Sequence, residues 1–130
     1  MGWRADGRTW AGRIASGIAI VFLTLDAAGK LLRAEPFVRG TVELGYPDGS
    51  VAVIGALLLF GVLLYAIPRT SILGAIWLTG FLGGAVATHF RLGSPLFTHQ
   101  LFGIYVAVIV WAGLVLRNRP LAAILFGARR

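Results

Sequence analysis

The chain has 130 residues, 58% of them hydrophobic, and a mean hydropathy of +0.84. That excludes an ordinary soluble domain, whose apolar share is about 45–50%. Its net charge of +7 does not mark a nucleic-acid partner, because the basic residues sit at segment ends rather than along one face. The absence of cysteine removes disulfides, thiol chemistry and thiolate-ligated metals.

Uncharged runs alternating with short charged clusters predict an all-α membrane protein, a four-transmembrane-helix antiparallel bundle forming one domain. The first helix is expected over about 14–33, interrupted by Asp26 and Lys30. Arg4, Arg8 and Arg13 ahead of it resemble a signal peptide, but the run leads into Asp26 rather than a small-residue cleavage site, so a retained helix is expected. A long connection with Pro36, Gly45-Tyr46-Pro47 and Asp48-Gly49 should fold over one end of the bundle.

The second and third helices are expected over 51–67 and 72–88, both uncharged. As α-helix the 17-residue runs span about 26 Å, the low end of a bilayer core. Pro68-Arg69-Thr70-Ser71 between them predicts a tight hairpin, with Pro68 ending one helix and Thr70 or Ser71 capping the next. The fourth helix is expected over 96–116, and residues 119–130 form a short tail suited to the membrane interface. Trp3, Trp10, Tyr65, Trp77 and Trp111 suit interfacial belts or the lipid face.

Eight basic residues (Arg4, Arg8, Arg13, Arg69, Arg117, Arg119, Arg129 and Arg130) fall on one side of this topology. Lys30, Arg33, Arg39 and Arg91 fall on the other, among acidic residues. The Lys/Arg bias predicts that the first side is cytoplasmic and carries both termini.

The costly polar groups collect at the opposite, outer end. Asp26 lies about 18 Å into the first helix, with Lys30 one turn further along the same face. Thr88, His89 and Arg91 close the third helix, His99 opens the fourth, and Glu43 comes from the long connection. An intramembrane carboxylate must pair, face the bundle interior or hold a proton, so this cluster is the candidate site, either a proton-relay or anion pocket or a satisfied polar cap. Two histidines without a carboxylate pair at ligand spacing do not make a metal site, and no serine has a His/Asp arrangement beside it, so no catalytic residue is assigned. Gly80, Gly83 and Gly84 form a small-residue stripe suited to close helix packing, within the bundle or against another subunit.

Several stretches resemble the DoxX-like family of bacterial four-helix membrane proteins. They are Leu25-Asp26-Ala27-Ala28-Gly29-Lys30, Leu44-Gly45-Tyr46-Pro47, Ile67-Pro68-Arg69-Thr70 and Gly83-Gly84-Ala85-Val86-Ala87-Thr88-His89. Arg91, Gly93, Pro95-Leu96 and His99 follow in order, so the resemblance covers roughly residues 14–118. It implies a compact bundle in the bacterial cytoplasmic membrane and a link to thiosulfate:quinone oxidoreduction, in which a quinone would be the cofactor, since the chain has none of its own. The leading expectation is an accessory or structural subunit of a larger membrane complex, with membrane lipids and other membrane subunits as partners. The alternative is a quinone-linked or proton-coupled oxidoreductase component. A third is a small carrier or isomerase for a lipophilic substrate, which requires an apolar cavity beside Asp26.

Overall fold

The computed structural model describes residues 6–127, so Trp3, Arg4, Arg129 and Arg130 lie outside the described residues. The described chain is helical: α1 (Gly7–Leu31), α2 (Glu35–Glu43), α3 (Ser50–Ala66), α4 (Ser71–Leu92), α5 (Phe102–Arg117) and α6 (Arg119–Phe126). Three segments are long and apolar enough to cross a membrane: Gly7–Leu31, Pro68–Leu92 and Leu96–Arg117. The apolar α3, at 17 residues, is shorter. Six helices thus stand where four were expected. α2 is an extra helix within the long connection, and α6 makes the tail helical.

Helix ends depart from the hydropathy boundaries because capping, not apolarity, sets them. α1 begins a full turn or more before Ile14, since the Asp6 side chain accepts a hydrogen bond from the Thr9 amide at 2.9 Å. That bond holds the Asp6 carboxyl below its usual value of 3.8, helped by Arg119, which pairs with it and ties α1 to α6. α1 ends at Leu31, where Ala34 N–H reaches Gly29 O and Arg33 N–H reaches Lys30 O. This Schellman closure puts Arg33 in the left-handed region (φ 55°), a costly place for a side chain, and Arg33 is held there by Asp48. α4 runs one turn past the expected 88 and closes the same way on Gly93 (φ 70°), so His89 and Arg91 are helical residues.

At the α3–α4 hairpin the hydroxyls act on the preceding helix rather than capping the next. Pro68 has no N–H for Leu64 O, and the Thr70 hydroxyl donates to that carbonyl instead, at 2.7 Å. Ser71 does the same for Tyr65 O at 2.7 Å. The expected capping role is therefore reversed: no side chain caps α4 at Thr70, and both hydroxyls satisfy carbonyls at the end of α3.

α1, α3, α4 and α5 close a ring in which each packs on two neighbours. Glycines set how closely. Near the end that holds both described termini, α1 meets α5 where a Cβ on Gly12 would lie 2.8 Å from Arg117 N and Gly113 O, and α3 meets α4 where Gly74 abuts the backbone of Tyr65. Toward the other end the pairing changes. Gly55 of α3 sits against Ala27 and Lys30 of α1, and Gly103 of α5 sits against Leu82 O of α4. The closest backbone approaches thus fall on two seams at one end and on the other two at the opposite end.

The expected stripe, by contrast, does not serve packing within the bundle. A Cβ on Gly80, Gly83 or Gly84 would meet nothing within 4 Å. Tyr65, expected at the lipid face, is instead 1% exposed in the core beside Leu58, Leu78 and Val110. Its hydroxyl donates to Val110 O at 2.6 Å and accepts from Ser16, which accepts from Arg117 Nε at 2.9 Å.

These contacts predict opposite responses to the same substitution. Gly83→Ala should stabilise by about 0.5–1 kcal/mol through helix propensity. Gly113→Ala, which drives a methyl into Ser16, should destabilise by about 1–3 kcal/mol. Thermal unfolding of the two variants in one detergent measures both signs.

Candidate functional site

Where the two seams are exchanged, a cavity of about 420 Å³ opens between α1 and α3 on one side and α4 and α5 on the other. Phe22, Leu23, Ile54, Phe81 and Val106 make its apolar wall. Asp26, Lys30, Tyr46, Thr88, His89 and His99 gather at its outer end.

Asp26 and Lys30 form a helical i, i+4 ion pair at 2.6 Å, with side chains 29% and 16% exposed. The Lys30 stem lies on Gly55, and its ammonium stands 5.7 Å from the Phe37 ring of α2. Phe37 in turn packs on Gly29, which is what seats α2 over the outer end. Facing the pair, Thr88 donates to Gly84 O at 2.9 Å. Its one proton is thereby spent, so the Tyr46 hydroxyl is the donor in the 2.9 Å bond between them, joining the connection to α4.

The histidines come together by two local devices. The Gly93 turn sets the Ser94 hydroxyl 3.1 Å from His89 Nδ1. After Pro95, residues Leu96–Gln100 form a single π-turn, with Gln100 and Leu101 amides reaching five residues back. π-turns re-aim side chains, and this one carries His99 to an edge-on contact with His89, ring centroids 5.6 Å apart. His99 Nδ1 is bonded to Thr98 at 2.8 Å, so both Nδ1 atoms are occupied by hydroxyls.

Not every expected member joins. Arg91 lines no cavity wall; it reaches Leu44 O at 3.2 Å under the left-handed Gly45 (φ 97°) and holds the connection in place. Glu43 is exposed, makes no ion pair among the described residues, and borders a second, outer hollow of about 700 Å³ beneath α2. That vestibule shares Lys30, Thr41, Leu44, His89 and His99 with the inner cavity, so the two adjoin across these side chains. Gly80 and Gly84 line the inner cavity. Among the described residues no three His, Asp or Glu side chains gather as a metal cluster. Sequence reasoning missed Phe22, Phe102 and Thr41, which carry no signal apart from their apolarity or small polar size.

The family model of the DoxX-like family matches residues 14–113, three quarters of the chain and the whole of this site. The protein is a helical membrane protein, and it belongs to the DoxX-like family. No curated protein and no solved structure gives a match.

The half-buried ion pair makes a testable prediction. Removing only its acid leaves an uncompensated ammonium, so Asp26→Asn should cost about 1–3 kcal/mol, less than the roughly 3–5 kcal/mol of a fully buried pair because of its partial exposure. Replacing both, Asp26→Asn with Lys30→Met, should cost less than the single change. A double-mutant unfolding cycle in detergent decides it.

Proposed function

We propose that this protein crosses the bacterial cytoplasmic membrane four times and holds one lipophilic molecule with a polar head in the outer half of its bundle. Four crossings require α3 to span with its 17 residues, about 26 Å, helped by flanking interfacial groups. The described Arg8, Arg13, Arg69, Arg117 and Arg119 share one end with a single acid, Asp6. At the other end Lys30, Arg33 and Arg39 each pair with a carboxylate. That asymmetry supports both termini being cytoplasmic.

The observation that carries the binding reading is the cavity, whose size is that of a ligand pocket and whose walls are apolar except at one end. There an ammonium and a carboxylate face two imidazoles and a hydroxyl pair. A flat apolar ring with acceptor oxygens, as in a quinone, suits this arrangement: Lys30 and the imidazole edges donate, and Asp26 accepts from a reduced head. Lys30, His89 and His99 also border the outer vestibule, so a proton-coupled role would have titratable groups facing both hollows.

Titrating the full chain in lipid nanodiscs with a short-chain benzoquinone and its hydroquinone tests the reading. Saturable binding is expected, with Asp26→Asn and His99→Ala each weakening it about tenfold, the worth of one charge-assisted hydrogen bond. Uptake no greater than that of protein-free nanodiscs overturns it.

A second reading, an accessory subunit of a larger assembly, is favoured by Gly83. This residue is exposed on α4 with open space around it, and there a partner's membrane helix can approach closely. Purification in a mild detergent should then recover stoichiometric companion chains, and recovery of this chain alone counts against it.

A further inference from the structure

The cavity is bounded differently along its two open seams, and the difference bears on how a ligand enters. Between α1 and α5 the seam is shut by Phe22 and Phe102, stacked edge-on with centroids 5.6 Å apart. Between α3 and α4 the comparable edge-on pair, Phe60 and Trp77 (centroids 4.9 Å apart, Trp77 also donating to Leu57 O), stands about one turn further in, below the level of Ile54 and Gly80. At the level of the cavity the α4 lip is Gly80 and Gly84, both lining the cavity, both exposed, and both with open space where a side chain would be. Ile54 of α3, which is half-buried, is the opposite lip.

Depth settles what this opening faces. Gly80 is the middle residue of the 25-residue segment Pro68–Leu92, about 18 Å of helix from either end. An opening at that level meets acyl chains and not water. The polar groups lie further out, since Thr88 and His89 are two turns beyond Gly80, about 12 Å.

We infer that the gap between Ile54 and Gly80/Gly84 is a lateral portal through which a chain-bearing lipid enters from the bilayer, its head moving outward to the Lys30–Asp26 and His89–His99 end while its chain stays in the gap at Gly80. This rests on the binding reading above and adds the ligand class to it: an amphiphile with a single long chain, delivered by the membrane. A head group without a chain has a second approach by way of the vestibule, whose lining includes neither Ile54 nor Gly80.

The test compares a benzoquinone carrying a decyl chain with the same head carrying only a methyl group, each titrated into nanodiscs holding the full chain. At Gly80 an added Cβ meets nothing within 4 Å, so Gly80→Leu places its branched end in the gap without a clash at its root. Ile54→Trp plugs it from the other lip, so the outcome does not depend on one variant folding. Because both residues line the cavity, the readout is the ratio between probes: each variant is expected to weaken the decyl probe about tenfold or more beyond whatever it does to the methyl probe. The portal is overturned if both probes are unaffected or both are weakened alike. It is overturned also if the wild type takes the methyl probe but not the decyl one, in which case the binding reading survives. If the wild type takes neither, both fall.

Discussion

The structure depends on one packing constraint: the exchange of helix partners along the bundle axis. Glycines let α1 touch α5 and α3 touch α4 at the end of Gly12, Gly74 and Gly113. Gly55 and Gly103 bring α1 to α3 and α5 to α4 at the opposite end. Four helices that swap nearest neighbours cannot stay in contact along all four seams throughout. The hollow beside Asp26 is a geometric result of that swap rather than a packing defect. A native core is otherwise close-packed, and the costly voids that remain in one are few.

The cluster at the outer end is held by short-range chemistry. Ser94 fixes one imidazole, and Thr98, lifted by the π-turn, fixes the other. Tyr46 and Arg91 fasten the connection to α4, and Phe37 seats α2 on Gly29. Each link is a single hydrogen bond or ring contact, but together they place groups from five chain segments around one space. A site assembled this way is positioned by helices and oriented by their caps, which favours precise placement of a head group.

The amino-acid sequence made the bundle legible where lipid is the solvent. Uncharged runs marked α3 and α4 to within a few residues, and the cost of polar groups in hydrocarbon singled out Asp26, Lys30, His89 and His99. Capping was less visible. Asp6 extends α1 and Gly93 extends α4, but a hydropathy profile registers membrane entry, not hydrogen bonds. Which of the two packing roles the glycine stripe has was not legible, because a small residue has the same letter whether it receives a neighbouring helix, as at Gly74, or leaves open space, as at Gly84. Tyr65 looked interfacial by type, and its buried position follows from two partners, Ser16 and Val110, that are 49 and 45 residues distant.

The chain of hydrogen bonds from Arg117 through Ser16 to Tyr65 ends on a backbone carbonyl, with no group beyond it to continue. Ten residues of α1, about 15 Å, separate Ser16 from Asp26, and the layer between is Ala19, Leu23, Leu58, Val62, Leu78 and Val110. The hydroxyls at that level, Thr24 of α1 and Thr79 of α4, are not among its buried members, and Thr79 is engaged with Ala75 O and Trp111. The two polar ends of the bundle are thus set apart by an apolar septum one cluster of side chains deep.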